Sequence, residues 1–149
     1  MDASFLVVLL DKRARASIRN GPQLVADLIE NLSAGRTKVI IPAPALAEAL
    51  KYAPRAGQTY LEEIQKYSCF QLRPFDQKAA MELARMLGKN AAGKTRRQSE
   101  LTMQMLKFDR QIVAIAKAYG ASIIYADDEK IVSFAAECGL QGIRLKDLK

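Results

Sequence analysis

The sequence predicts one α/β domain built on a mostly parallel sheet. Short apolar and β-branched runs alternate with segments of helical periodicity, which is the pattern of such a sheet. The chain has 149 residues, half of them hydrophobic, which suits a single core and argues against disorder. No repeat, linker or low-complexity tract divides it. We therefore expect residues 1–149 to form a single domain.

Four short runs predict the strands. The first ends at Pro42 and is β-branched, as expected of a buried strand, whereas the second is a weaker candidate. The predicted strands are Lys38–Ile41, Cys69–Leu72, Ser122–Ala126 and Gly142–Leu145.

Apolar residues at helical spacing predict the helices between the strands. Pro22 suits a first helical turn, and Asp76 suits an N-cap. Gly35, Gly120 and Gly139 stand where helices would end. The predicted helices are an apolar segment at Ser4–Leu10, a helix between Pro22 and Gly35, then Pro44–Leu50, Thr59–Tyr67, Asp76–Leu87, Phe108–Tyr119 and a last helix that ends at about Cys138.

Composition excludes several classes of function. Because the chain contains no histidine, it cannot hold a Ser-His-Asp triad, a Cys-His pair or a histidine-ligated zinc site. Cys69 and Cys138 have no metal-binding spacing, so free thiols in a reducing cytoplasm are expected. No signal peptide is predicted, since Met1-Asp2 does not open a basic n-region. No membrane span is predicted, since no apolar run reaches about 18 residues. A net charge of +7 suits RNA or DNA as partner, although it is also compatible with a basic protein that binds neither.

One stretch matches a nucleotide-binding pattern. Gly88–Thr95 reads GKNAAGKT and fits G-x-x-x-x-G-K-[ST], the phosphate-binding P-loop. A P-loop must follow a strand, however, and the apolar stripe before Gly88 predicts a helix that ends at this glycine. A P-loop NTPase is therefore a minor alternative, and a basic solvent-exposed loop is preferred. Four basic residues are candidates for nucleic-acid contacts, namely Lys94, Arg96, Arg97 and Arg110.

Acidic residues stand near the ends of two predicted strands, where parallel α/β sheets bind ligands. Glu48 lies on the helix after the first strand, and Asp127 follows the third. Asp109 begins the helix that leads into the third strand, and Asp2 precedes the first apolar helix. If these carboxylates cluster, they repel one another and a cation is needed to keep them ionised. Oxygen ligands without histidine or cysteine favour Mg²⁺ or Mn²⁺.

Each acid also has a purely structural interpretation. Asp109 and the pair Asp127–Asp128 suit the first turns of helices. Glu48 suits a solvated helix face, and Asp2 suits a disordered terminus.

Four stretches, in this order, resemble the PIN-domain family, which includes the toxin ribonucleases of VapBC-type toxin–antitoxin pairs. The first is similar to the opening D-x-[S/N] and apolar run of the family, and the second to its strand, proline and "LAE" helix. The third and fourth are similar to its third-acid helix and to the strand and acid that follow. The stretches are Asp2–Val7, Val39–Glu48, Phe108–Ala116 and Gly120–Asp128.

The resemblance implies a three-layer α/β/α fold with a mostly parallel sheet of four to five strands. It implies that the catalytic, metal-binding acids are Asp2, Glu48, Asp109 and Asp127, with Asp128 as an additional or substitute metal ligand and Ser4 as a supporting hydrogen-bonding residue. The activity it implies is Mg²⁺- or Mn²⁺-dependent hydrolysis of RNA phosphodiester bonds.

The chain departs from the family at its start. In the family a central hydrophobic strand runs into the first aspartate, whereas only Met1 precedes Asp2. Asp11 is the alternative first acid, because Leu6–Leu10 would then be the strand before it. Basic residues follow Asp11, so Asp2 fits the motif better. A chain that begins at Met1 would lack a middle strand, and its stability and activity are then expected to be impaired.

The leading hypothesis is therefore a cytoplasmic, metal-dependent endoribonuclease. The family suggests a toxin role with an antitoxin protein, and a homodimer is a common assembly. The main alternative is a non-catalytic PIN-like module that binds RNA or protein, and the P-loop NTPase comes third. Metal-dependent DNA cleavage also stays open, since no residue identified above would read a 2′-hydroxyl.

Overall fold

A computed structural model describes residues 1–51, 53–91 and 108–148. In chain order its helices are α1 (Ala3–Leu10), α2 (Lys12–Ala16), α3 (Gly21–Ala34), α4 (Ala43–Lys51), α5 (Gly57–Gln65), α6 (Gln77–Ala91), α7 (Asp109–Ala118) and α8 (Glu129–Glu137). Its strands are β1 (Val39–Pro42), β2 (Phe70–Arg73), β3 (Ile123–Tyr125) and β4 (Gln141–Ile143), and short 3₁₀ turns cover Pro54–Ala56 and Leu145–Asp147. Each of the four predicted strands thus has a counterpart, shifted by one or two residues at its ends.

The prediction of one three-layer α/β/α sheet with four to five strands is wrong. Over the described ranges the strands form two separate two-stranded sheets, each of them parallel. In the first, β1 pairs with β2 in the register Val39 to Phe70, and in the second β3 pairs with β4 in the register Ile123 to Gln141. Most of the described residues lie in helices, and the strands of both sheets are only three or four residues long.

The two sheets remain separate because little extended backbone lies between them. The Met1 amino group donates to the Ile40 carbonyl of β1 at 3.1 Å, and the Asp2 amide donates to the Tyr125 carbonyl of β3 at 2.8 Å. Helix α1 begins at the next residue, Ala3, which ends the extended segment. One hydrogen bond to each side is too few for a strand, although Met1–Asp2 does join the two sheets.

Helix α1 is buried on nearly all sides, which explains why Leu6–Leu10 does not form the strand considered for Asp11. Apolar side chains occupy most of its positions, and a helix that is apolar all round lies in a core. Asp2 caps its first turn by accepting a hydrogen bond from the Phe5 amide.

The core consists of two clusters of buried side chains. The first surrounds α1 and includes Leu6, Val25, Ile41, Tyr60 and Phe70. The second surrounds α7 and includes Met86, Ile112, Ile124, Phe134 and Leu140. Ala45 of α4 belongs to the second cluster although Leu46, its neighbour in the chain, belongs to the first. Helix α4 therefore contacts both cores.

Three of the four predicted helix-ending glycines are confirmed, including Gly35 directly after α3, and one is wrong. Gly120 and Gly139 follow α7 and α8 with φ of 78° and 81°, a conformation that favours glycine at a helix end. Gly88 instead lies inside α6, which continues to Ala91. The first four residues of the GKNAAGKT stretch are therefore helical and follow a helix rather than a strand, and the rest of the stretch lies outside the described residues.

None of the helices in the described part of the chain combines the length and the apolar character needed to cross a membrane.

Candidate active site

Asp2 is the buried centre of the candidate site. Its side chain is 1% exposed, and its two oxygens accept hydrogen bonds from two different parts of the chain. Oδ1 accepts from the Phe5 amide at 2.8 Å, and Oδ2 accepts from the Asp127 amide at 3.1 Å. Burial raises the pKa of Asp2, while these amides oppose the rise by stabilising the carboxylate. Asp2 thus holds the start of α1 against the end of β3.

Glu48 faces the same region from α4. This helix begins at Ala43 directly after β1, so its second turn carries Glu48 past the end of that strand. Burial raises the pKa of Glu48, and the charges of Asp109 and Asp2 raise it further. Lys51 opposes this effect. The charges of acids from α7 and from the amino-terminal segment therefore act on Glu48.

Asp109 and Asp128 complete this group of acids. Asp109 is the first residue of α7, and Asp128 is the N-cap of α8, where it accepts a hydrogen bond from the Lys130 amide at 2.7 Å. Burial raises the pKa of Asp109, with a second contribution from the charge of Asp128. Asp128 also contributes to the raised pKa of Glu48. We refer to Asp2, Glu48, Asp109 and Asp128 as the acidic group.

Asp127 lies at the edge of the acidic group and contacts an arginine that the sequence did not single out. Its Oδ1 is 3.7 Å from Nε of Arg144, and Nη1 of the same guanidinium donates to Oε1 of Glu129 at 2.6 Å. Nε of Arg144 is buried and has no hydrogen-bond partner among the described residues. The sequence placed Arg144 inside the last predicted strand, Gly142–Leu145, whereas β4 ends at Ile143 and Arg144 lies beyond it, next to Asp127.

A cleft of about 430 Å³ opens beside these acids. Glu48 and Asp127 line it together with the exposed Ser4, and the rest of its wall is apolar, formed by Ala3, Val7, Val8, Ala49 and Leu145. Its volume lies in the range of sites that bind small ligands. Among the described residues Ser4 makes no hydrogen bond to an acid, although it shares this cleft with two of them.

The acids do not form a closed metal cage. Over residues 1–51, 53–91 and 108–148, no three side chains of Asp, Glu or Cys are placed so that they could hold one metal ion. The acidic group is therefore coupled through its charges, and its carboxylate oxygens do not converge on a single point.

Asp11 takes no part in this arrangement. It caps α2 by accepting hydrogen bonds from the amides of Arg13 at 2.7 Å and Ala14 at 3.3 Å. Burial raises the pKa of Tyr60 on α5, and the charge of Asp11 raises it further. Of the two candidates for the first acid, only Asp2 affects the pKa of Glu48.

The basic residues predicted to contact nucleic acid fall into two groups. Lys94, Arg96 and Arg97 lie outside the described residues. Arg110 follows Asp109 on α7, and its guanidinium carbon is 4.4 Å from the centre of the Phe134 ring. Burial lowers the pKa of Arg110. This side chain stacks on the second core, which is a structural role that the sequence did not predict.

The chain matches no protein-family model and no curated protein.

Proposed function

We propose that this protein is a metal-dependent endoribonuclease that hydrolyses RNA phosphodiester bonds. The observation that carries the proposal is the cleft lined by Glu48 and Asp127, beside which the buried Asp2 accepts a hydrogen bond from the Asp127 amide. Burial raises the pKa of Glu48, and the charges of Asp109 and Asp2 raise it further. Acids that repel one another cost stability, so such a group calls for a functional explanation. A PIN-like nuclease provides one.

The acidic group has the chemistry of a divalent-cation site. Its donors are carboxylate oxygens, which suit Mg²⁺ or Mn²⁺. Burial raises the pKa of Glu48 and of Asp109, and neighbouring acids add negative charge that a cation would neutralise. The residues that the resemblance implies for the ion are Asp2, Glu48, Asp109, Asp127 and Asp128, and because no three of the described side chains are placed to hold one ion, carboxylates would have to move toward it on binding. A bound ion would supply a water of lowered pKa and would neutralise charge on the phosphate.

Residues of the chain itself would position the RNA. The apolar wall of the cleft suits a sugar or base, and the exposed Ser4 hydroxyl is placed to donate to a bound nucleotide. The Arg144 guanidinium is ion-paired with Asp127 and Glu129, so it would hold Asp127 in position beside the cleft. The net charge of +7 favours a polyanion, with Lys94, Arg96 and Arg97 as further candidates for phosphate contacts.

The test is cleavage of a labelled single-stranded RNA with Mn²⁺ or Mg²⁺ and with EDTA. We expect cleavage only with metal, and its loss in Glu48→Gln. Glu62→Gln is the matched control, since Glu62 is an exposed glutamate on α5 that bonds only Gln58 among the described residues. Cleavage that persists in EDTA, or that Glu48→Gln leaves unchanged, would contradict the proposal. A labelled DNA of the same sequence shows whether the sugar matters.

A non-catalytic module that binds RNA or protein is the second candidate. It is favoured by the absence of a closed metal cage among the described residues. RNA binding without cleavage in any metal, and equal in wild type and Glu48→Gln, would identify it. The helix before GKNAAGKT leaves the P-loop NTPase without support.

The cellular role follows only from the resemblance. A toxin with an antitoxin partner, a homodimer and a cytoplasmic location are parts of the proposal for which co-purification and sedimentation are the direct measurements.

A further inference from the structure

Phe108 is an exposed aromatic residue next to the acidic group. It is the N-cap of α7, so it directly precedes Asp109, and it is 51% exposed. In the part of the chain that the structure describes, the other phenylalanines and the tyrosines are buried or half-buried. Single exposed apolar side chains are ordinary on protein surfaces, so what matters is where this one lies.

The ring of Phe108 has no partner among the described residues, since no aromatic ring and no cation of these ranges contacts it. Tyr119, at the opposite end of α7, differs in this respect. Cζ of Arg73 lies 4.8 Å from the centre of the Tyr119 ring, and Nζ of Lys78 lies 5.2 Å from it. The Phe108 ring can therefore receive a flat π-system from outside the protein.

Phe108 and the cleft lie on different sides of the acidic group. The cleft wall includes Val8 and Ala49, which belong to the first core cluster, whereas α7 lies in the second. Asp109 acts on Glu48 of the cleft, although neither Asp109 nor Phe108 lines the cleft itself. The acidic group therefore has an apolar surface on each side, the cleft wall on one and the Phe108 ring on the other.

Lys130 adds a positive charge on the Phe108 side. It is exposed in the first turn of α8, which packs against α7. Burial raises the pKa of Asp109, and the charge of Lys130 opposes this rise. Within the described ranges no ion pair ties the Lys130 ammonium to an acid. An available ammonium and an available ring are the two groups that bind the phosphate and the base of a single-stranded nucleic acid.

We propose that Phe108 is a base-stacking residue for the RNA. One nucleoside lies in the cleft, the next stacks on the Phe108 ring, and the phosphate that joins them lies at the acidic group. Lys130 contacts the phosphate beyond the stacked base. Because every base has a π-face, this position tolerates all four bases. The inference rests on the proposed RNA substrate, but it does not require cleavage.

The test is the affinity for a labelled single-stranded heptaribonucleotide, measured by fluorescence anisotropy in EDTA at low salt. EDTA prevents metal-dependent cleavage, so the RNA stays intact. From the usual strength of base–aromatic stacking, Phe108→Ala should weaken binding about five- to 150-fold. Phe108→Leu keeps an apolar side chain without a π-face and should weaken binding as alanine does. Phe108→Trp should bind at least as tightly as wild type.

Met81→Ala is the matched control. Met81 is 68% exposed and lies on α6, whose N-cap Asp76 accepts a hydrogen bond from Tyr119 at the end of α7 away from Asp109. This variant also removes an exposed apolar side chain, and it should bind RNA as wild type does.

An abasic scan of the same RNA adds a measurement on the wild-type protein. Bases are removed one at a time, and at one position the loss should weaken binding as much as Phe108→Ala does. In Phe108→Ala the same position should become neutral, because its base has no ring on which to stack.

The stacking inference and the nuclease proposal can fail separately. Equal affinity of wild type and Phe108→Ala or Phe108→Leu, or no RNA binding by wild type, would overturn the stacking. Unchanged RNA affinity with lost self-association of Phe108→Ala in sedimentation would instead make Phe108 a protein contact. A Phe108-dependent affinity without any metal-dependent cleavage would support the stacking and contradict the nuclease.

Discussion

Replacing Asp2 with alanine separates its structural role from any role in metal binding. The carboxylate accepts hydrogen bonds from Phe5 and from Asp127, and both amides lie in a region from which the side chain is 99% shielded. Alanine leaves both amides without this acceptor. We therefore expect Asp2→Ala to destabilise the protein with or without metal.

The size of the effect follows from two opposing contributions. Each amide left without a buried acceptor costs about 1–3 kcal/mol, which gives about 2–6 kcal/mol for the pair. Part of this is recovered, because burial raises the pKa of Asp2 and its ionised form is therefore unfavourable there. We expect a net loss of about 2–4 kcal/mol, or a melting temperature lower by about 5–15 °C in a chain of this length.

Glu48→Gln provides the contrast. Glu48 has its pKa raised by burial and by neighbouring acids, so removing its charge relieves repulsion. In EDTA at pH 7.5 we expect this variant to be at least as stable as wild type. Urea denaturation followed by circular dichroism at 222 nm measures both variants against wild type.

The reasoning fails if Asp2→Ala keeps a free energy of unfolding within about 0.5 kcal/mol of wild type, the range of neutral surface changes. It also fails if Glu48→Gln loses as much as Asp2→Ala. The first result would mean that the hydrogen bonds of Asp2 do not hold α1 against β3, and the second that the charge of Glu48 does not destabilise the folded protein.

Three further predictions concern charge and packing. Because the folded protein raises the pKa of Glu48 and Asp109, their protonated forms favour folding, and this contribution is lost as pH rises above the ordinary value of 4.5 for Glu48. In EDTA, the difference in stability in favour of Glu48→Gln over wild type should grow as pH rises. In Mn²⁺, wild type should instead be the more stable of the two. A difference in melting temperature that is constant from pH 4 to pH 8 in EDTA would contradict this prediction. Gly88→Ala should stabilise the folded protein by about 1 kcal/mol, since this glycine lies inside α6 and has open space for a Cβ. Gly142→Ala should destabilise the folded protein, because the new Cβ would lie 2.6 Å from Cγ1 of Val132. A lower urea midpoint for Gly88→Ala than for wild type, together with a higher one for Gly142→Ala, would refute this prediction. If the nuclease proposal holds, Arg144→Ala should lower kcat/KM for RNA about tenfold, which is about 1.4 kcal/mol, because it removes the guanidinium beside Asp127. An equal loss of kcat/KM in Lys146→Ala would argue against a specific role of Arg144.

The sequence predicted the elements well because their signals are local. Helix α7 carries a regular apolar stripe and ends before Gly120, whose positive φ supports the expected stop. The rule that ligands bind where parallel strands end also pointed to Glu48 and Asp109, and both are coupled to other acids in the structure. These inferences need only spacing and turn chemistry.

The pairing of the strands, the end of α6 and the packing of Arg110 depend on contacts that residue spacing does not reveal. The strands are short apolar runs that carry no information on which neighbour they pair with, and only Met1–Asp2 lies between β1 and β3. Gly88 was predicted to end α6, but a glycine inside a helix costs only about 1 kcal/mol relative to alanine, and α6, which packs against α7, continues through it. Arg110 was assigned to RNA from its charge, whereas its stacking on Phe134 depends on tertiary structure.

The division of the interior into two clusters bears on how the protein unfolds. Val39, Ile41 and Phe70 of the first sheet belong to the first cluster, and Ile124 of the second sheet belongs to the second. The connections between the halves include the bonds of Met1 and Asp2, the contacts of α4 with both clusters, and the packing of Tyr125 of β3 against the first cluster. Segments that share few buried contacts open as separate cooperative units. The half around α7 should therefore exchange its amide hydrogens with a different free energy from the half around α1. In Asp2→Ala, the two free energies should diverge further, since the side chain that couples the halves is gone.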